Sequence, residues 1–150
     1  MKLSIATRAL TVAGVAVTLV SIAVPLPVAA GLVLLAGVLD GVDGCVAVLQ
    51  DRASDAGRRL DHAADRTGEL VFGLLLWRAG NPWWLAVVAV VLMLAVELIR
   101  RPGVVTVAER PVRVLFTAAA LLVWPHLWAW GLVALSAVSV VQARRERIVT

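Results

Sequence analysis

The sequence predicts an all-α membrane protein of six transmembrane helices with both termini in the cytoplasm, and three observations carry that expectation. The 150 residues are 61% hydrophobic and only 16% charged, with a mean hydropathy of +0.94. A soluble domain averages about half apolar and about a quarter charged, so the solvent for most of this chain is lipid. Apolar runs alternate with short breaks rich in proline, glycine or charge. The basic residues fall almost entirely on one side of an alternating inside–outside count, as in multi-pass proteins whose cytoplasmic loops carry the lysines and arginines.

The first helix is expected from about Ala9 to Val24, closed by Pro25-Leu26-Pro27, and the second from Leu26 to Leu49. A polar stretch, Gln50 to Gly57, separates them from a third helix running from Arg58 to Ala79. Gly80-Asn81-Pro82 reads as a turn, with Pro82 suited to the first position of a fourth helix that reaches Ile99. The fifth spans about Thr106 to Trp124, and the sixth Pro125 to Val141, ahead of Arg144-Arg145-Glu146-Arg147. Several of these approach the lower limit of roughly 17 residues for a spanning helix, so the count of six rests on charge. Counting gaps alternately from the inside places 13 of the 14 basic residues inside and leaves only Arg78 outside. Trp77, Trp83 and Trp84, and then Trp124, Trp128 and Trp130, flank the two outer turns, where indole rings favour the headgroup layer. The expected organisation is a single domain, 1–150, in the cell membrane. Lys2 and Arg8 ahead of an apolar run, with Val28-Ala29-Ala30 behind it, resemble a cleavable leader. The run continues past the prolines into an acid-bearing segment, so a helical hairpin is expected instead.

Composition narrows the chemistry. A lone Cys45 excludes an intrachain disulfide, and one cysteine with two histidines is too few for an ordinary structural zinc site. A bound metal must therefore be held by oxygen: magnesium, manganese or calcium. The net charge of +4 and pI near 11.0 would suggest nucleic acid in a soluble chain. Here no basic stretch lies in a soluble domain, so contact with anionic headgroups is expected and no nucleic acid.

Acids beside a bilayer are costly, and their placement is informative. Asp40 and Asp43 stand three apart near the end of the second helix and share one face, which Gly44 and Ala47 continue with little bulk. Gly57, Asp61 and Asp65 are spaced by four along the third helix. A short connection between antiparallel helices brings the two stripes together. Four converging carboxylates repel or hold protons, and divalent cations remove the conflict: a pair of hard ions about 3.5–4 Å apart clamps both sides of a phosphoryl displacement. Carboxylates, divalent metal and a glycine-lined slot point to phosphate chemistry. An ion-conducting reading would need acids near the bilayer midplane, whereas these gather at one side. The bland alternative is a solvated hairpin in which Asp55 or Asp61 pairs with Arg58 and Arg59.

From Asp40 the chain reads DGVDGCVAVLQDRASDAGRRLDHAAD. This resembles the signature of the CDP-alcohol phosphotransferase (CDP-alcohol phosphatidyltransferase) family, D-x2-D-G-x2-A-R-x8-G-x3-D-x3-D. Asp40, Asp43, Gly44, Ala47, Gly57, Asp61 and Asp65 match seven of its eight fixed positions over 26 residues. The resemblance implies a membrane enzyme of phospholipid biosynthesis that transfers a phosphatidyl-type group from a CDP-linked lipid to a small polar acceptor. It implies two Mg2+ (or Mn2+) ions held by Asp40, Asp43 and Asp61, with Asp65 beside the second and acting as the catalytic base on the acceptor hydroxyl. Gly44, Ala47 and Gly57 would admit the CDP substrate, and Ser54 matches a position that contacts the CDP-lipid in related phosphatidylinositol-phosphate synthases. Family members often pair as homodimers, so a homodimer is expected.

One position departs from the signature: its arginine is Val48 here. An arginine offers planar, charge-assisted hydrogen bonds to a diphosphate, and valine offers none. The departure motivates a second reading, a catalytically impaired member serving as a membrane partner or scaffold. Farther along, Arg110 and Arg113 share a face where the fifth helix enters from the cytoplasm and form an expected pocket for a phosphorylated acceptor, or else an anchor to anionic lipid. Glu69 is expected in helix packing, with an auxiliary site group as the alternative, Glu97 beside Arg100 or Arg101, and His126 at the outer face with no catalytic role. Arg52, one turn beyond Val48, is the expected substitute for the missing arginine, with Arg58 or Arg59 as other candidates. Arg52→Ala should raise the KM for the CDP substrate, and an unchanged KM in a CMP-release assay would rule Arg52 out.

Overall fold

The computed structural model of the protein describes the backbone of residues 2–49, 55–99 and 109–149, and side chains within 9–42, 62–99 and 109–145. Among these residues the chain forms six helices and no strands: α1 (Lys2–Val20), α2 (Leu26–Leu49), α3 (Asp55–Arg78), α4 (Trp83–Ile99), α5 (Arg110–Leu122) and α6 (Pro125–Val149). They close into a ring in the order α1, α2, α5, α6, α4, α3, with α3 touching α5 across the middle. Each of the three helical hairpins therefore packs as a neighbouring pair, and α1 and α5 each meet both α2 and α3.

Local chemistry explains the breaks. The buried Ser21 hydroxyl donates to the Thr18 carbonyl at 2.5 Å, and the amides of Ile22 and Ala23 turn back three residues to Leu19 and Val20. This tight turn ends α1 at Val20, four residues before the expected stop. At the next turn Gly80 takes φ +94, a conformation open to glycine without a Cβ penalty. The Asn81 side-chain amide and backbone N–H both donate to the Leu76 carbonyl, at 2.9 and 3.3 Å, and so cap the end of α3. Pro82 and Pro125 precede or open α4 and α6, where a missing amide proton costs nothing. Helix α6 continues eight residues past the expected Val141, through Arg144 and Arg145, because arginine and glutamate are good helix formers once a helix has begun. The fifth helix begins at Arg110 among the described residues; the expected start at Thr106 lies outside them.

Two contacts bind all three turns to one end of the bundle. Arg78 donates to the carbonyls of Ile22 at 2.6 Å and Val24 at 3.2 Å, joining the end of α3 to the α1–α2 turn. His126 Nδ1 lies 3.0 Å from Asn81 Oδ1, joining the start of α6 to the α3–α4 turn. Trp84 and Trp130 meet edge to face at this end with centroids 5.7 Å apart. The acids of α2 and α3 lie toward the other end.

The core is built from small residues, among them Ala29, Ala30, Ala36, Ala89, Ala118, Ala120 and Ala129, with Leu75, Leu85, Met93 and Leu132 filling the wider layers. The outside is apolar too: Val12, Leu35, Leu70, Val91, Leu115 and Val138 are among its exposed large side chains. A bundle with small residues between its helices and large apolar ones outside is the inverse of a water-soluble core, and it suits lipid. By length and composition one described stretch, Pro125–Arg145, is long and apolar enough to cross a membrane; Ala9–Val20, Leu26–Val42 and Trp83–Ile99 are shorter apolar stretches.

Close approach of α2 to α5 is set at Gly37, where an added Cβ would stand 2.8 Å from Val114 Cγ1. Gly37 precedes Asp40 by one turn and Val114 follows Arg110 by one turn, so this contact fixes the distance between those charged residues. Gly37→Leu should lower stability by about 1–3 kcal/mol through overpacking, read as a lower unfolding midpoint in detergent.

Candidate active site

Asp40 on α2 and Asp65 on α3 converge on one guanidinium. Arg110 Nη1, from the first turn of α5, lies 3.0 Å from Asp40 Oδ1 and in direct contact with Asp65 Oδ1. The three side chains are each about one-third accessible, at 38%, 31% and 30% for Asp40, Asp65 and Arg110. One acid from each expected stripe thus meets the other through Arg110. Helix α1 adds a wall: Thr11, Gly14 and Thr18 line a crevice with Ala36, Asp40, Ala64 and Arg110. The Thr18 hydroxyl is turned inward on its own helix, donating to the Gly14 carbonyl at 2.8 Å.

Asp43, Gly44, Ala47 and Val48 lie on the last turns of α2, and Gly57 and Asp61 on the first turns of α3. Helical spacing puts Asp43 on the face of Asp40 and Asp61 on the face of Asp65; their side chains, with Arg52 and Ser54 entire, lie outside the described residues. Among the described residues no group of three or more histidine, cysteine or acidic side chains gathers. The two described acids share one cation, the Arg110 guanidinium, through oxygen atoms, and oxygen is the donor that a hard divalent ion takes.

One turn farther into the bundle lies a second ionic layer that the sequence reading missed. Arg113 Nη1 contacts Glu69 Oε1 on α3, and its Nη2 lies 2.5 Å from Glu97 Oε1 on α4. Arg66 stands 3.7 Å from the other Glu69 oxygen. The Arg113 and Glu69 side chains are only 5% and 6% accessible. Arg110 and Arg113, expected to share one acceptor pocket, are thus separated: the first faces the aspartates, and the second is enclosed between two glutamates. Glu97 pairs with Arg113; its expected partners Arg100 and Arg101 lie outside the described residues. Glu69 is more than a packing residue, since it anchors this layer. The signal was present in the spacing, because Glu69 extends the stripe of Gly57, Asp61 and Asp65 by another four residues. His126 is at the Trp-rich end, away from the acids, as expected.

The family model described as CDP-alcohol phosphatidyltransferase matches residues 3–143. No curated protein and no solved structure matches the chain significantly.

Removing one partner from a buried ion pair leaves an uncompensated charge, at a cost of about 3–5 kcal/mol. Arg113→Met takes the shared partner from both glutamates and should therefore lower the unfolding midpoint steeply. Combining it with Glu69→Leu and Glu97→Leu, which removes all three charges, should recover much of that loss, as measured by unfolding in detergent.

Proposed function

The chain belongs to the CDP-alcohol phosphatidyltransferase family, and from that premise we propose an integral membrane phosphotransferase of phospholipid biosynthesis. It moves a phosphatidyl-type group from a CDP-alcohol, such as CDP-diacylglycerol, to a small hydroxylated acceptor and releases CMP. The observation that carries this reading is the meeting of Asp40 and Asp65, from two different helices, on one cationic group.

Asp40, Asp43, Asp61 and Asp65 are the proposed ligands of two Mg2+ (or Mn2+) ions, which would neutralise the diphosphate and the developing charge on the leaving group. Asp65 holds the second role of general base. It takes the proton from the acceptor hydroxyl, whose oxygen bonds to the β-phosphorus while the bond from that phosphorus to the bridging oxygen breaks and CMP leaves. Gly44, Ala47 and Gly57 present little side-chain bulk along the two acid-bearing helices, which suits close approach of a nucleotide. Arg52 and Ser54, in the connection between those helices, are proposed contacts of the CDP group. Arg110 is the proposed contact of a phosphorylated acceptor. Arg113 is already engaged by two glutamates and acts only by holding α5 in place.

Six membrane spans are proposed, with both termini and the active site on the cytoplasmic side. The exposed apolar side chains on every face of the bundle support the lipid environment, and the concentration of arginines at the acid end supports the orientation. A homodimer is part of the proposal.

The test is purified chain with CDP-diacylglycerol, Mg2+ and a panel of acceptor alcohols, followed by CMP release. Release should require the metal and fall by roughly 100-fold or more in Asp65→Asn, the scale of lost general-base catalysis. Bound CDP-lipid with no CMP from any acceptor would favour the scaffold reading that Val48 motivates.

A further inference from the structure

Arg110 makes a contact that goes beyond holding an acceptor. Its Nη1 meets Oδ1 of both Asp40 and Asp65. Each carboxylate offers that oxygen to the same nitrogen, so a divalent ion bound there would stand against a like charge. We propose that Arg110 is a tethered counter-cation that competes with the divalent ion for Asp40 and Asp65, and that loading the site requires its side chain to swing aside. This rests on the metal-dependent reading of the site given above.

Three features of the structure fit a side chain that moves on a backbone that does not. Arg113, one turn along α5, is enclosed and held by Glu69 and Glu97, so the helix start is anchored at its buried side. Val114 packs against Gly37, which pins the same turn to α2. The Arg110 side chain is 30% accessible, so its long stem has a solvent-facing side toward which it can turn. The charge balance supplies the reason. One guanidinium faces two described carboxylates, and helical spacing sets Asp43 and Asp61 on the same faces one turn away. The monovalent cation steadies the acids only in part, and a divalent ion competes with it on favourable terms. Released from the acids, the guanidinium keeps a planar fork suited to a phosphate group.

The experiment uses the full chain in detergent and Mn2+ itself as the probe, with binding followed by calorimetry and unfolding followed in EDTA and in Mg2+. Arg110→Gln removes the competitor, so it should bind Mn2+ roughly tenfold more tightly than the parent chain. Its unfolding midpoint should fall in EDTA, where the acids lose their partner, and return to the parent value in Mg2+. Arg110→Lys keeps a mobile positive charge and should bind Mn2+ within about threefold of the parent. If Arg110→Gln does not fold, Arg110→Met, which keeps the packing of the stem, carries the same expectation. Unchanged or weaker Mn2+ affinity after loss of the charge overturns the proposal, even where CMP release shows the enzymatic reading to be right. A gain with Arg110→Lys as large as with Arg110→Gln also overturns it. Absence of Mn2+ binding in every variant overturns this proposal and the metal-dependent reading together.

Discussion

Among the described residues four carboxylates meet guanidinium groups between the helices, and the architecture turns on how they are neutralised. Asp40 comes from α2, Asp65 and Glu69 from α3, and Glu97 from α4. Both guanidinium groups that bridge them, Arg110 and Arg113, come from α5. A charge in a low-dielectric interior is tolerated only with a partner at close range. The shortest helix of the six therefore has a fixed station, wedged where it can reach three others. The ring order follows, since α5 must sit beside α2 yet touch α3 across the centre.

The two ionic layers differ in the freedom they leave. The inner one is enclosed on all sides and joins α3, α4 and α5, so any change there has to be absorbed by the packing of three helices. The outer one is partly open, opposes helices at a small-residue contact, and borders a crevice that α1 completes. Rigid support beneath and mobile charge above is a sensible division of labour for a site that must take in highly charged reactants. Small residues between α2 and α5 add to it, because they bring the two backbones close enough for short side chains to matter.

Much of this was legible in the sequence, and the failures have physical causes. Prolines and glycine marked the turns, and the one-sided distribution of arginines settled the number of helices where length alone was ambiguous. The ends of α1 and α6 were misjudged for opposite reasons. A serine hydroxyl bonded to its own helix stopped α1 inside an apolar run, while charged but helix-favouring residues carried α6 past the apolar limit. In the site, regular spacing of three and four located the aspartates and predicted that the stripes of α2 and α3 would meet. Spacing says nothing about which side chains meet across a bundle, and the Arg113 partners lie 44 and 16 positions away. Only the ring arrangement brings them together, so the inner layer could not be read from local pattern.

Arg78, the sole basic residue among the turns at the Trp-rich end, is occupied in a way that bears on the electrical character of the whole bundle. Its guanidinium rests on the Ile22 and Val24 carbonyls of the α1–α2 turn, whose oxygens carry partial negative charge. The positive charge there is locally offset by carbonyls, while Arg110 and Arg113 toward the opposite end stand against acids. The molecule is thus more strongly polarised along its long axis than a residue tally implies, with one pole nearly neutral and the other densely ionic.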